Sequence, residues 1–147
     1  MTWYVRRSAV EFRILGPLEG AEGDRLLPLG ARQQRTVLAL LLLSRGEVVS
    51  TDRLVDGLWG ERSPPTAVKS LQVYVSQLRK VLGEGVLETR GRGYLLSLAA
   101  DQLDAARFES LLHQGRGLTA AGDMQDAADV FREALGLWRG PALADFA

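Results

Sequence analysis

The rhythm of apolar and polar positions changes several times along the chain, and each change marks an element. Val10-Glu-Phe-Arg-Ile-Leu15 alternates as a half-buried strand does and is broken by Gly16-Pro17. After a Gly/Glu-rich turn, Asp24-Arg-Leu-Leu-Pro-Leu29 resumes an extended pattern, so a small antiparallel sheet is expected here. From Ala31 the period becomes helical. Arg32-Gln-Gln-Arg35 opens a helix whose Val37, Leu38, Leu41 and Leu42 recur on one face, and Gly46 stops it. Glu47-Val-Val-Ser50 is short and extended. Ser50 or Thr51 is placed to cap a second helix carrying Leu54, Val55, Leu58 and Trp59, with Gly60 at its end.

Ser63-Pro64-Pro65 makes a turn, because proline suits the first helical position and keeps the residue before it out of the helical region. A third helix is therefore predicted from Pro65 to Leu82. Its expected buried stripe is Val68, Leu71, Val75, Leu78 and Leu82, at spacings of 3, 4, 3 and 4. The remaining faces carry Lys69, Ser70, Val73, Tyr74, Ser76, Gln77, Arg79 and Lys80. Gly83 and Gly85 end this helix. Leu87 to Leu98 then reads as two strands joined by Arg90-Gly-Arg-Gly93, whose two glycines are able to take positive φ. After Ala99-Ala100 the composition shifts to Ala-rich acidic helices. Asp101 to Gly122 is one, and a second is capped by Asp123 and carries Ala127, Phe131, Ala134, Leu135 and Trp138. The chain ends with Leu135, Leu137, Trp138, Leu143 and Phe146 expected in a cluster. A lone repeat-like helix pair does not cover its own apolar faces, so these helices are expected to belong to a longer protein or to pack on the first domain or on another copy.

The fold class that results is α+β. A winged helix-turn-helix, with a small N-terminal sheet, three helices and a C-terminal hairpin wing, is followed by an all-α helical hairpin resembling tetratricopeptide repeats. Residues 1–9 are an N-terminal extension, 10–98 the winged helix and 101–147 the helical part.

Composition sharpens the functional side of this picture. The 147 residues, 46% of them hydrophobic, suffice for a packed core. The net charge of zero conceals an asymmetry. Residues 1–98 hold 14 basic against 10 acidic side chains and residues 99–147 hold 4 against 8, which is +4 followed by −4. Cysteine is absent, which excludes a disulfide framework and a zinc finger and fits a reducing compartment. The longest apolar run, Val37 to Leu43, is far shorter than the roughly 20 residues that cross a bilayer. Arg6-Arg7 is not followed by an export signal's apolar stretch, because Glu11 and Arg13 interrupt it.

A helix fits the major groove of DNA, where Gln77 and Arg79 are suited to base edges, Val73 to a thymine methyl, and Lys69, Lys80, Ser70, Ser76 and Tyr74 to phosphate. Arg90 and Arg92, at the tip of a ribbon beside it, suit a narrow minor groove. Arg32, Arg35, Arg53 and Arg62 read first as solvated surface residues and only second as phosphate contacts. Chemistry of the enzymatic kind is poorly represented. The single histidine, His113, has no metal-ligating or nucleophilic company, and Gly91-Arg-Gly93 lacks the helix and Lys-Ser/Thr of a phosphate loop. The aspartates of the C-terminal part lack calcium-loop spacing; Asp123 reads as a cap, and Asp101, Asp104, Asp126 and Asp129 read as solvated helix charges. No catalytic residue, metal or cofactor is expected.

Specific segments carry a family likeness. Phe12–Leu18, Gln34–Leu43, Leu54-Val-Asp-Gly-Leu-Trp59, the Pro-Pro turn, Leu71–Lys80 and Arg90-Gly-Arg-Gly-Tyr94 resemble the winged-helix domain of the Streptomyces antibiotic regulatory protein family. That domain is itself similar to OmpR-type response-regulator effector domains. Arg107-Phe-Glu109, Ala121-Gly-Asp123, Phe131–Leu135 and Leu137–Leu143 resemble the opening of the bacterial transcriptional activator domain that follows in that family. The resemblance implies a cytoplasmic actinobacterial activator that binds tandem direct repeats in double-stranded DNA as head-to-tail pairs and recruits RNA polymerase holoenzyme. It also implies that Lys69, Ser70, Val73, Tyr74, Gln77, Arg79 and Lys80 face DNA and that Arg90 enters the minor groove. OmpR-like relatives often carry Arg where this chain has Gln77, a change that favours adenine. The family's activator domain has more helices than residues 101–147 supply. The alternative is a protein-interaction adaptor that uses the winged helix and the helical hairpin as docking surfaces.

Overall fold

The computed structural model describes residues 10–146; the expected extension 1–9, with Arg6-Arg7, lies outside the described residues, as does Ala147. Two compact units are present. One holds Val10 and Ala21–Ser97, the other Glu11–Gly20 and, among the described residues, 98–146. The ten residues Glu11–Gly20, within the expected span 10–98, group with the C-terminal helices, to which hydrogen bonds join them.

Strands β1 (Val10–Arg13), β2 (Glu19–Glu22) and β3 (Arg25–Leu26) form a sheet in that order, with Ala21 opposite Leu26 and Glu22 opposite Arg25. The Gly/Glu-rich segment expected as a turn is itself a strand. Gly20 and Ala21 are small enough to be buried there, and the turn contracts to Gly23-Asp24.

In the first unit, α1 (Arg32–Leu43) buries Val37, Leu38, Leu41 and Leu42 and packs on both α2 (Thr51–Trp59) and α3 (Ala67–Leu82). The Ser50 hydroxyl accepts from the Arg53 N–H at 3.1 Å, so Ser50, not Thr51, caps α2. α3 begins two residues later than expected. Pro64 to Thr66 form a turn closed by the Ala67 N–H on the Pro64 carbonyl, so both prolines precede the helix. A second sheet has the order β4 (Val49–Ser50), β6 (Gly93–Leu96), β5 (Leu87–Arg90), all antiparallel.

The second unit centres on α4 (Asp104–Ala120) and α5 (Met124–Leu135), an antiparallel hairpin joined at Gly122-Asp123. Gly115 permits their close approach: a Cβ there would collide with the Phe131 ring. Phe12 bridges to Leu103 as in a parallel ladder, and both are buried. The Asp104 carboxylate accepts the N–H groups of Ile14 and Leu15, and the Asp145 carboxylate accepts that of Leu18. The Arg139 and Leu143 N–H groups donate to the Leu15 and Ile14 carbonyls. Residues 11–20 are thus hydrogen-bonded to the first residue of the helical pair and to the segment that follows it.

Three expectations change here. Asp104 is a half-buried clamp, not a solvated charge, because it reaches two backbone donors of the segment after β1. Asp123 stands at the N-cap of α5, but its side chain makes no cap hydrogen bond. Leu135 lies outside the terminal cluster at 67% exposure, since Ala134 takes the buried position beside it, while Trp138 stacks edge-on against Phe108 with centroids 5.5 Å apart.

Candidate nucleic-acid interface

The buried stripe of α3 is Ala67, Leu71, Val75, Leu78 and Leu82, at spacings of 4, 4, 3 and 4. Val68, expected in that stripe, is 51% exposed, whereas Ala67 is 5% exposed. At about 100° per residue, starting the stripe one position earlier swings Val68 onto the flank of the helix. With Leu71 and Leu78 fully buried, the helix is held by one face, and the opposite face is set by geometry alone.

That opposite face carries Lys69, Val73, Ser76 and Lys80, all exposed, with Gln77 and Gln72 exposed on its two sides. Ser70 and Tyr74 are half-buried on the Gln77 side, which supplies the local packing that an aromatic ring outside the stripe requires. Val73, at 55% exposure, has no such cover. Gln72 is not among the residues expected to face outward on α3. It stands three residues after Lys69 and four before Ser76, and that helical spacing is the signal that identifies it.

The hairpin β5–β6 is a two-residue turn, Gly91-Arg92, between the paired Arg90 and Gly93. Its two glycines do different work. Gly91 takes φ of +56° in open space, as the first central residue of a tight hairpin turn prefers. Gly93 is not in the left-handed region; it is needed because a Cβ there would collide with the Val49 carbonyl across the β4–β6 pair. The turn is also anchored from the other side, since the Thr51 N–H donates to the Arg92 carbonyl at 2.9 Å. This fixes the Arg92 backbone at the start of α2, while the Arg92 side chain is exposed.

Two arginines of the expected set, Arg90 on the wing and Arg79 on α3, are engaged within the protein. Arg90 forms a fork on Glu88, Nη2 at 2.9 Å and Nε at 3.1 Å from Oε2, in an exposed pair along β5. Arg79, on α3, reaches the same strand: its Nε donates to the Leu87 carbonyl at 3.0 Å and its Nη2 to the Thr89 hydroxyl at 2.8 Å. Lys69, Lys80, Gln77 and Arg92 lie on the exposed surface of the same unit. Arg53 and Arg62, exposed at the start of α2 and just beyond its end, and Arg32, exposed at the start of α1, stand on other elements. Among the described residues no cluster of His, Cys, Asp or Glu is arranged to hold a metal. Nor is any helix among the described residues long and apolar enough to cross a membrane.

A basic and polar helix face, held from behind by a leucine stripe and flanked by an arginine-bearing hairpin, is a shape that other proteins share. The family model described as "Transcriptional regulatory protein, C terminal" matches residues 27–96, and that described as "Bacterial transcriptional activator domain" matches residues 103–147. Regulatory protein AfsR of Streptomyces coelicolor is 41% identical over 137 residues, which is 92% of this chain and 14% of AfsR. Regulatory protein DnrI of Streptomyces peucetius is 37% identical over 148 residues, covering 92% of this chain and 54% of DnrI. The structure of Mycobacterium tuberculosis EmbR, in complex with a low affinity phosphopeptide, superposes with a TM-score of 0.90 at 36% identity over 95% of this chain and 38% of that one. The chain thus spans about half of DnrI and a small part of AfsR. Two consecutive family models in this order, with relatives that match across nearly the whole chain, show that it belongs to the Streptomyces antibiotic regulatory protein family of transcriptional regulators.

Proposed function

We propose that the chain binds double-stranded DNA in a sequence-specific manner and acts as a transcriptional activator in the cytoplasm. It would place α3 in the major groove and the β5–β6 wing at the adjacent minor groove. The observation that carries this reading is the outward face of α3. Lys69, Val73, Ser76, Gln77 and Lys80 project from a helix whose other face is fully committed to the core. Gln77 pairs with adenine in a bidentate manner, Val73 meets a thymine methyl, Lys69, Ser70, Tyr74, Ser76 and Lys80 take phosphates, and Arg90 and Arg92 approach the minor groove. Family membership supports the finer reading, in which head-to-tail pairs occupy tandem direct repeats near a promoter and recruit RNA polymerase holoenzyme. No catalytic step or cofactor enters it.

The adaptor reading draws on the apolar side chains exposed on the second unit, Met124 and Leu135. Ionic strength separates the two. Binding through phosphates weakens steeply with salt, with a log–log slope near −0.9 for each phosphate neutralised. Selection of bound duplexes from a random pool, followed by salt titration on the selected site, tests the proposal; absence of any salt-dependent binding refutes it. The spacing and orientation of the selected half-sites test the tandem-repeat arrangement in the same experiment.

A further inference from the structure

Arg79 has the composition and position of a DNA contact, yet its hydrogen-bonding capacity is directed elsewhere. The guanidinium lies along β5, donating through Nε to the Leu87 carbonyl at 3.0 Å and through Nη2 to the Thr89 hydroxyl at 2.8 Å. Leu87 is the first residue of the wing's outer strand and Thr89 faces Tyr94 across the hairpin. β6 is paired on both sides, to β4 and to β5, whereas β5 is an edge strand. The start of β5 rests on the core through buried Val86 and Leu87; Thr89 and Arg90, nearer the turn, are exposed. The Arg79 side chain is thus a tie from the flank of α3 to β5, reaching from the buried Leu87 to the exposed Thr89.

Resting on the DNA-binding reading above, we infer that Arg79 is a positioning residue for the wing and not a phosphate or base contact. Its fork, shared between Leu87 and Thr89, sets the separation between the helix that enters the major groove and the hairpin that carries Arg90. A rigid separation matters because two contact elements on one scaffold reinforce each other only when both engage at once without further ordering. Arginine is the side chain suited to this. Its planar donors span a carbonyl and a hydroxyl simultaneously, and a lysine ammonium keeps the charge but loses the fork. Thr89 is the reciprocal half of the device, with no charge of its own to offer DNA.

The experiment uses the intact chain and a duplex selected by it. Arg79→Lys and Thr89→Val are compared with the parent for affinity, for salt slope and for the additional effect of Arg90→Ala. If Arg79 ties the wing, both variants weaken binding by roughly 3–10-fold, the scale of one lost intramolecular hydrogen bond, with the salt slope of the parent. Their effects are non-additive when combined, and Arg90→Ala costs much less in either background than in the parent. A phosphate contact gives the opposite pattern. Arg79→Lys then binds nearly as well as the parent, Thr89→Val has no effect, and Arg90→Ala keeps its full cost, any of which overturns the inference. Thr89→Val removes one exposed hydroxyl from a strand otherwise unchanged, so it tests the tie even if altering Arg79 disturbs folding. If the parent itself shows no salt-dependent DNA binding, the DNA-binding reading fails and this inference with it. A parent that binds alongside variants indistinguishable from it overturns the inference alone.

Discussion

The carboxylate of Asp104, at the start of α4, accepts the backbone N–H of Ile14 at 2.9 Å, although the two residues are 90 positions apart. Its second oxygen takes the N–H of Leu15 at 3.0 Å, and its first also accepts the N–H of Ala105. One side chain thus joins the segment after β1 to the beginning of the helical pair, and the consequence is energetic. Asp104→Ala strands three backbone donors, those of Ile14, Leu15 and Ala105, in a partly buried place, at about 1–3 kcal/mol. Thermal or urea unfolding of the variant, followed at the Trp138 signal, should show that loss in the second unit; a stability within 0.3 kcal/mol of the parent, on the order of measurement error, contradicts it.

The wing glycines make a matched pair of substitutions with different causes. Gly93→Ala drives a methyl into the Val49 carbonyl across β4–β6 and is expected to cost at least about 2 kcal/mol, as overpacking against backbone does. Gly91→Ala meets only the strain of a positive φ in open space, about 1 kcal/mol. Denaturant midpoints of the two variants should rank in that order, and equal losses would mean that the β4–β6 contact is looser than the structure has it.

Two neighbouring apolar residues of α3 should behave oppositely. Leu71 is fully buried, so Leu71→Ala removes core volume at about 2–5 kcal/mol. Val68 is half exposed to solvent, so Val68→Ala should lie within about 0.5 kcal/mol of the parent. Equilibrium unfolding of both variants decides whether the stripe begins at residue 67 or at 68.

On DNA, Gln77 and Lys80 should separate specificity from affinity. Gln77→Ala relaxes discrimination at one base position by about 1–3 kcal/mol and leaves the salt dependence alone. Lys80→Ala weakens all duplexes by similar factors and lowers the salt slope by about 1. Binding of both variants to a panel of single-base substitutions at two ionic strengths checks the pair, and a uniform loss for Gln77→Ala would assign it to the backbone instead.

Much of this molecule is legible in its sequence. The helical period of Val37, Leu38, Leu41 and Leu42 marks α1, a cap at Ser50 or Thr51 and Gly60 bracket α2, and Gly91 marks the turn of the wing. These signals are local: hydrophobic period, cap chemistry and turn residues act within a few positions of the chain, so the sequence displays them directly. The exposed face of α3 follows in the same way, because once one face is apolar the other has to meet solvent or a partner.

What tertiary structure alone decided lies between residues far apart. Periodicity admits Val68 or Ala67 as the first member of the stripe, and only the packing of α1 on α3 selects Ala67. Arg79 reads from sequence as one more basic residue on a polar face; its capture by Leu87 and Thr89 exists only when β5 lies beside α3. Asp104 reads as a solvated helix charge until Ile14 and Leu15 present two donors to it. Composition and spacing determined which residues are able to donate, accept or be buried. Which of them do so was decided by the folded chain, because a hydrogen bond depends on a few tenths of an ångström that no spacing along a sequence encodes.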